Sequence, residues 1–181
     1  MIRTLLFAVA GLLLGGVIHI VIVLMVPLYA NNDAWAQMKR FGDDGAFHLL
    51  PIPTSGSETL ASLDPHMAEA VCRFSLTNKP LRVTAGLPDT FWSVAVFDRR
   101  GRNVYSLNDR AADRQSLDLV VLTPLQMAQL RQNPPESLDT ALVVQLEIDE
   151  GFVLLRVLVP DDTTLPSVLD ALSMADCAAT L

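Results

Sequence analysis

The stretch from Leu5 to Tyr29 constrains this chain most, because none of its 25 residues carries a formal charge. As a helix that rises about 1.5 Å per residue it would reach roughly 37 Å, and the hydrocarbon core of a bilayer is about 30 Å thick. We therefore predict one N-terminal transmembrane helix within residues 1–30. A cleaved signal peptide is the alternative, since Ala34-Trp35-Ala36 has the form of a cleavage site, but the apolar part of such a peptide spans only about 7–15 residues.

The charges on either side of this span predict its orientation. Residues 31–181 hold 12 basic and 20 acidic residues, a formal charge of −8. Directly beside the span, Arg3 and the terminal amine precede it, whereas Asn31, Asn32 and Asp33 follow it. By the positive-inside rule the N-terminus stays in the cytoplasm and the rest is exported, although Lys39 and Arg40 weaken this bias. The acidic excess argues against nucleic acid as a partner and against binding to anionic lipid through a cluster of basic residues.

The two cysteines also indicate whether the domain is exported. Cys72 and Cys177 are 105 positions apart, too far for a CxxC motif. In an exported domain two lone cysteines usually pair, so we predict a disulfide that ties the last helix to the first strand of the domain. By the chain-entropy model such a bond contributes about 4–5 kcal/mol to stability. The alternative is a cytosolic domain with two buried free thiols.

The remaining chain predicts a stalk followed by one domain. Residues 31–63 mix Gly, Pro and Ser with isolated apolar residues, as in a tether that partly packs on the domain formed by residues 64–181. Within that domain, alternating apolar and polar residues predict seven strands and two short helices. The strands lie near 70–76, 81–85, 91–97, 103–108, 117–122, 140–148 and 152–159, and the helices near 123–133 and 165–175.

The lengths of the connections predict how these strands pair. Every link between consecutive strands is too short for a parallel crossover, except the link that contains the middle helix. Asp98-Arg99-Arg100-Gly101 predicts one tight hairpin, with Gly101 able to adopt a positive φ. A second hairpin is expected across Asp149-Glu150-Gly151. The fold class predicted is α+β, mainly an antiparallel β-sheet or β-sandwich with two short helices, preceded by one transmembrane helix.

Three arginines on predicted strands are candidate binding residues. Arg156 interrupts a strand whose neighbours on the same face are apolar, and a buried arginine needs a carboxylate or an anionic ligand. Together with Arg73 and Arg82 it could line an anion-binding face. The alternative is a structural ion pair for Arg156 and two solvated arginines.

Aromatic and charged residues around the first hairpin form a second candidate. Trp92 and Tyr105 lie near Asp109-Arg110 in sequence and could rim a carbohydrate or peptide groove, with Arg110 as a binding residue. The alternative is that the aromatic residues pack in the core. Asp98, in the hairpin turn, is a further candidate binding residue.

The sequence offers little for catalysis. It contains no nucleophile elbow, HExxH motif, phosphate loop or dinucleotide fingerprint. His48 and His66 lack the spacing of a metal site. We therefore expect no metal, no cofactor and no catalytic residue.

Within the membrane helix, Gly11, Gly15 and His19 recur every four residues and share one face. Small residues at this spacing let two helices approach closely, which predicts association with a second copy or with another membrane protein. His19 is the only titratable residue of the span and could hydrogen-bond across such a pair. The alternative is that this spacing arises by chance and that the imidazole of His19 has no role.

Several blocks of sequence resemble a known family: DPHMAEAVCRFSL, PDTFWSVAVFDRRGRNVYSLNDR and EIDEGFVLLRVLVP. The chain is similar to short, membrane-anchored members of the bacterial family called domain of unknown function 1254. The motifs that carry the resemblance are Cys72-Arg73-Phe74, Trp92-Ser93, Asp98 with Gly101, and Arg156. The resemblance implies a β-rich domain and an integral membrane protein of proteobacterial type, and it brings no catalytic residues.

Together these observations predict a single-pass inner-membrane protein with a cytoplasmic N-terminus and a periplasmic domain that binds or scaffolds another component of the envelope. The alternative is an envelope enzyme that acts on a carbohydrate or another small polar substrate. An enzyme requires a deep pocket with converging acids, or Arg156 exposed inside it. In a scaffold Arg156 should be paired.

Overall fold

The computed structural model describes residues 2–30, 38–52, 64, 66–112, 116–132, 135 and 138–179. The chain divides into two compact units, Met1–Asp33 and Ala34–Leu181. The cleavage-site pattern at Ala34-Trp35-Ala36 and residues 53–63 of the predicted stalk lie outside the described residues.

The first unit contains helix α1, Ile2–Ala30. Its segment Ile2–Val26 is apolar, and no part of that segment is buried in the structure. The 29 residues of α1 extend over about 43 Å at the rise of an α-helix. The predicted N-terminal helix is therefore confirmed as one that is long and apolar enough to cross a membrane.

The second unit is a two-layered β-sandwich, which confirms the predicted α+β, mainly antiparallel fold. Its elements are β1 (His48–Leu49), β2 (Met67–Ser75), β3 (Leu81–Gly86), β4 (Trp92–Asp98), β5 (Asn103–Asn108), β6 (Ser116–Leu122), α2 (Pro124–Gln132), β7 (Leu142–Gln145), β8 (Glu150–Leu158), α3 (Leu165–Ser173) and β9 (Asp176–Ala179). The first sheet has the order β1-β2-β8-β4-β5 and the second has the order β7-β6-β3-β9. Among these strands the pair β6–β7 is parallel, and its connection is the one that contains α2.

The core lies between the two sheets because each strand turns its apolar face inward. In β4 every second side chain is buried, from Trp92 through Val94 to Val96, and these residues meet Val83 of β3 and Leu119 of β6. Burying a large aliphatic side chain is worth about 1.5–3 kcal/mol. The strict alternation along β4 and β3 therefore decides which face of each sheet turns inward.

The predicted disulfide is confirmed, with one correction to its place in the fold. Cys72 and Cys177 are bonded, their Cα atoms lie 6.5 Å apart, and both side chains are fully buried. Cys177 lies on β9, a strand that pairs with β3, and not in the last helix. The bond therefore joins β2 of the first sheet to β9 of the second sheet.

The second predicted hairpin is wrong. β7 pairs with β6 in the second sheet, whereas β8 lies between β2 and β4 in the first sheet, so the turn at Asp149–Gly151 crosses between the layers. The physical reason is that β8 is apolar on both faces around Val153 and Leu155, as expected of a central strand with partners on both sides.

Residues 38–52, from the predicted stalk, pack on the outer face of the first sheet. β1 pairs with β2, and Met38, Phe41 and Leu50 contact a small apolar cluster that includes Val71 and Phe152. This segment therefore covers apolar side chains that the sheet would otherwise turn to solvent.

Gly151 offers a direct test of the packing between strands. A Cβ at Gly151 would overlap the carbonyl oxygen of Phe97 and lie 3.0 Å from the ring of Phe74. We expect Gly151→Ala to lower the free energy of unfolding by about 1–3 kcal/mol, because neither the backbone nor the ring can yield without strain. Urea unfolding of the full-length chain in detergent, followed by tryptophan fluorescence, measures this loss.

The matched control is Gly86→Ala. A Cβ at Gly86 meets nothing within 4 Å, so its effect should stay within about 0.5 kcal/mol. Equal effects of the two substitutions would contradict the close approach of β8 to β4.

Candidate functional site

Arg156 is held in an ion pair across two strands. It lies opposite Glu69 in the register of β2 and β8, and its Nε donates to Glu69 Oε1 at 2.8 Å. Glu69 is only 5% exposed. Burial raises the pKa of Glu69, and the positive charge and hydrogen bond of Arg156 offset this only in part.

The other two arginines are also paired, on different layers of the sandwich. Arg73 lies on the outer face of the first sheet and binds Asp44, whose Oδ1 accepts from its Nε at 2.6 Å. Arg82 lies in the second sheet and donates to both carboxylate oxygens of Asp118 at 2.9 and 2.8 Å, a hydrogen-bonded pairing that raises the pKa of Arg82. Because Arg82 belongs to the other sheet, the three arginines do not line one common face.

Two further candidate residues, Asp98 and Trp92, have structural roles in the first hairpin and in the core. Asp98 is buried, and its Oδ1 accepts from the backbone N–H groups of Arg100 and Arg102, at 2.9 Å each. Its Oδ2 accepts from Nε of Arg102 at 2.7 Å. Trp92 is 0% exposed in the core, so it does not rim a groove.

A polar pocket lies where the hairpin of β4 and β5 ends, and we call it the hairpin-end pocket. Its volume is about 390 Å³. The lining residues come from both sides of the hairpin: Asp89, Thr90 and Phe91 precede β4, and Asp109 and Arg110 follow β5. Of the sequence candidates, Arg110 lies here.

The backbone of this pocket is tied to the first sheet. The N–H of Asp109 donates to the carbonyl of Trp92 at 3.1 Å, and the carbonyl of Phe91 accepts from the N–H of Leu158 at 2.8 Å. The N–H of Arg110 donates to the side-chain oxygen of Asn108 at 3.2 Å. Hydrogen bonds to three strands therefore position the side chains of the pocket.

The pocket contains polar groups that have no side-chain partner among the described residues. Among the described residues, no hydrogen-bond donor reaches the buried Oδ1 of Asp109, and none of them forms an ion pair with Arg110. Phe91 is 41% exposed beside them. A carboxylate, a guanidinium and an aromatic ring thus line one concave surface, and polar groups of this kind fix the orientation of a small ligand.

Two larger grooves offer fewer available groups. One, of about 570 Å³, is lined in part by Asp118, which already binds Arg82, and by the exposed side chain of Met174. The other, of about 860 Å³, lies beside α2, where Gln126 donates to the carbonyl of Leu76 at 2.8 Å. Among the described residues, no group of three or more His, Cys, Asp or Glu side chains could hold a metal ion.

The sequence reasoning missed Asp89, Thr90 and Phe91, although a signal was present. A hairpin brings together the residue before its first strand and the residue after its second strand, and Ser93 indeed pairs with Asn108. The loop before β4 should therefore have been placed beside Asp109-Arg110.

Asp98 generates a prediction about stability and pH. Burial opposes its ionisation, but the hydrogen bonds from Arg102 and Arg100 outweigh this and lower the pKa of Asp98. We expect Asp98→Asn to lower the free energy of unfolding by about 1–3 kcal/mol at pH 7, because charge-assisted hydrogen bonds are lost. Urea unfolding of the full-length chain in detergent measures the difference.

The pH dependence has a defined sign. Because the folded state lowers this pKa, the contribution is complete above the ordinary aspartate value of about 4 and is lost as pH falls through the lower folded value. The difference between the wild-type chain and Asp98→Asn should therefore shrink at pH 3. Asp139→Asn, at an exposed position, is the matched control. A difference that persists at pH 3, or an equal effect of the control, would contradict the role of the ionised carboxylate.

Known proteins resemble this chain in sequence family and in fold. The crystal structure of the VPA0106 protein from Vibrio parahaemolyticus is similar with a TM-score of 0.59 at 11% identity, over 83% of this chain and 35% of that one. A putative uncharacterized protein from Burkholderia cenocepacia gives a TM-score of 0.44 at 16% identity, over 76% of this chain and 37% of that one. The chain thus spans about a third of the length of these two structures, and at these identities the first likeness concerns the fold alone.

A comparison with curated proteins gave no match. The family described as "Protein of unknown function (DUF1254)" matches residues 46–174, which include the first sheet, strands β3, β6 and β7 of the second sheet, and the hairpin-end pocket. The resemblance seen in the sequence is thereby confirmed, and this chain belongs to the DUF1254 family.

Proposed function

We propose that this chain is a single-pass protein of the bacterial inner membrane, with its N-terminus in the cytoplasm and with residues 64–181 forming a periplasmic domain that binds or scaffolds another component of the envelope. The observation that carries the proposal is the combination of α1 with a buried disulfide. α1 is long and apolar enough to anchor the chain, and the Cys72–Cys177 bond belongs to a domain that folds in an oxidising compartment.

Charge supports the orientation. Residues 31–181 carry a formal charge of −8, whereas Arg3 lies before α1. Positive residues that flank a span are retained on the cytoplasmic side, and Asn31, Asn32 and Asp33, which follow α1 directly, include no positive residue. The periplasm, unlike the cytosol, also provides the oxidants that form a structural disulfide.

The side-chain pairings support binding or scaffolding as the role of the domain. Arg156 is paired with Glu69 across two strands of the first sheet, as expected of a scaffold. In the hairpin-end pocket, Oδ1 of Asp109 and the guanidinium of Arg110 have no side-chain partner among the described residues. This pocket therefore gives the domain a small polar site for binding.

The membrane helix supplies a second contact surface in this proposal. Gly11 and Gly15 lie on one face of α1, and a Cβ added at either position meets nothing within 4 Å. His19 continues the same face. A second copy of the chain, or another membrane helix, would pack against this face, because small residues let helix backbones approach and a neutral imidazole can donate a hydrogen bond between them.

A reporter that is active only after export, fused after Leu181, tests the topology. We expect activity from the fusion to the wild-type chain, because Arg3 holds the N-terminus in the cytoplasm. A matched variant carries Arg3→Glu with Asn31→Lys, Asn32→Lys and Asp33→Lys, which reverses the charge difference across α1. Activity per amount of fusion protein should fall in that variant.

A fluorescent reporter that folds only in the cytoplasm, fused at the same position, provides the complementary measurement. Fluorescence from the fusion to the wild-type chain, together with an inactive export reporter, would overturn the proposed orientation and the periplasmic location.

A further inference from the structure

The hairpin-end pocket carries charges of both signs, which restricts what can bind there. Asp89 and Asp109 contribute carboxylates, and Arg110 contributes a guanidinium. A simple anion that approaches Arg110 also meets two carboxylates, and a simple cation that approaches Asp109 also meets Arg110. A ligand that carries one positive and one negative group satisfies both partners at once.

Asp109 is the group that most needs a positive partner. Its Oδ1 is buried and, among the described residues, accepts no hydrogen bond. An unpaired buried polar oxygen costs free energy, and the cost is larger for a charged group. An ammonium group placed against this carboxylate offsets that cost by charge.

Arg110 is suited to the opposite end of such a ligand. The guanidinium is exposed, and within the described part of the chain no carboxylate lies within ion-pair distance of it. A planar guanidinium binds a carboxylate through two parallel hydrogen bonds. By contrast, Arg82 and Arg156 each already form an ion pair with a carboxylate of the domain.

Size and apolar surface define the rest of the ligand. The pocket of about 390 Å³ is near the lower end of the range of ligand sites, roughly 300–1,000 Å³. Phe91 presents a partly exposed ring at its rim. A small ligand with an apolar side chain would bury that ring, whereas a long chain would extend beyond the pocket.

We propose that the hairpin-end pocket binds a free α-amino acid with an apolar side chain, with the carboxylate on Arg110, the ammonium group on Asp109 and the side chain against Phe91. This inference deepens the proposed binding function of the domain and rests on it. Thr90 lies beside Phe91 in the lining, and its hydroxyl already donates to the carbonyl of Leu158 at 3.4 Å, so the ligand's charged ends rely on the two ionic partners.

Isothermal titration of the full-length chain in detergent micelles with L-leucine tests the proposal. Two truncated probes separate the charges: L-leucinamide keeps the ammonium group and lacks the carboxylate, and N-acetyl-L-leucine keeps the carboxylate and lacks the ammonium group. We expect L-leucine to bind, and each truncated probe to bind at least about tenfold more weakly, because each loses one charge-assisted contact.

Two variants assign the contacts. Arg110→Gln should weaken L-leucine at least about tenfold and leave L-leucinamide no weaker than before. Asp109→Asn should weaken L-leucine and leave N-acetyl-L-leucine no weaker. Arg131→Gln, at an exposed arginine of α2, is the matched control and should change nothing. An unchanged circular dichroism spectrum shows that a weakened variant is still folded.

Three results would overturn the proposal: no binding of L-leucine at millimolar concentration, equal affinity for all three probes, or unchanged affinity in Arg110→Gln. Each can occur in a chain whose reporter fusion shows export, and the proposed topology then stands without the amino-acid site. Conversely, a cytoplasmic reporter result leaves the titration unaffected, so the two failures are distinguishable.

Discussion

The bond between Cys72 and Cys177 connects the two layers of the sandwich, and the rest of the domain is arranged around that connection. Cys72 lies on β2 and Cys177 on β9, strands that belong to different sheets and share one apolar core. Closing a loop of this length stabilises a domain by about 4–5 kcal/mol in the chain-entropy model, which is a large part of the 5–15 kcal/mol typical of a folded domain. The bond therefore helps to keep the short last strand paired to β3. Because such a bond forms and persists in oxidising compartments, the stability of the domain depends on the compartment in which it folds.

Side-chain charges divide into those that pair within the fold and those that have no partner among the described residues. Glu69 with Arg156 crosses between strands of the first sheet, and Asp98 holds the turn of the first hairpin. Where the same hairpin ends, Asp109 and Arg110 find no such partners among the described residues. Strand pairing thus explains both results, because it places opposite charges in register in the middle of the sheet and leaves the charges at its end facing a cavity.

Local patterns were readable in the sequence, whereas pairings between distant residues were not. A capping box begins α2, with the N–H of Thr123 donating to Gln126 Oε1 at 2.9 Å, and Gly101 adopts a φ of 76° in the predicted hairpin turn. Both depend on residues within three or four positions of each other. The strand β9 has only four residues and exists because β3 offers it an edge, which no local pattern reveals. Phe91 was assigned to a strand and proved to line the pocket, since only the closed hairpin places it beside Arg110.

We infer that the domain folds as a disulfide-linked sandwich on the oxidising side of the membrane. Maleimide-polyethylene glycol labelling of the full-length chain, taken from native membranes, denatured and left unreduced, tests this inference. We expect no labelled cysteine before reduction and two after it, because the chain contains Cys72 and Cys177 and no other cysteine. Complete labelling of both thiols without reduction would contradict it, since it would remove the link between the sheets and the main support for export.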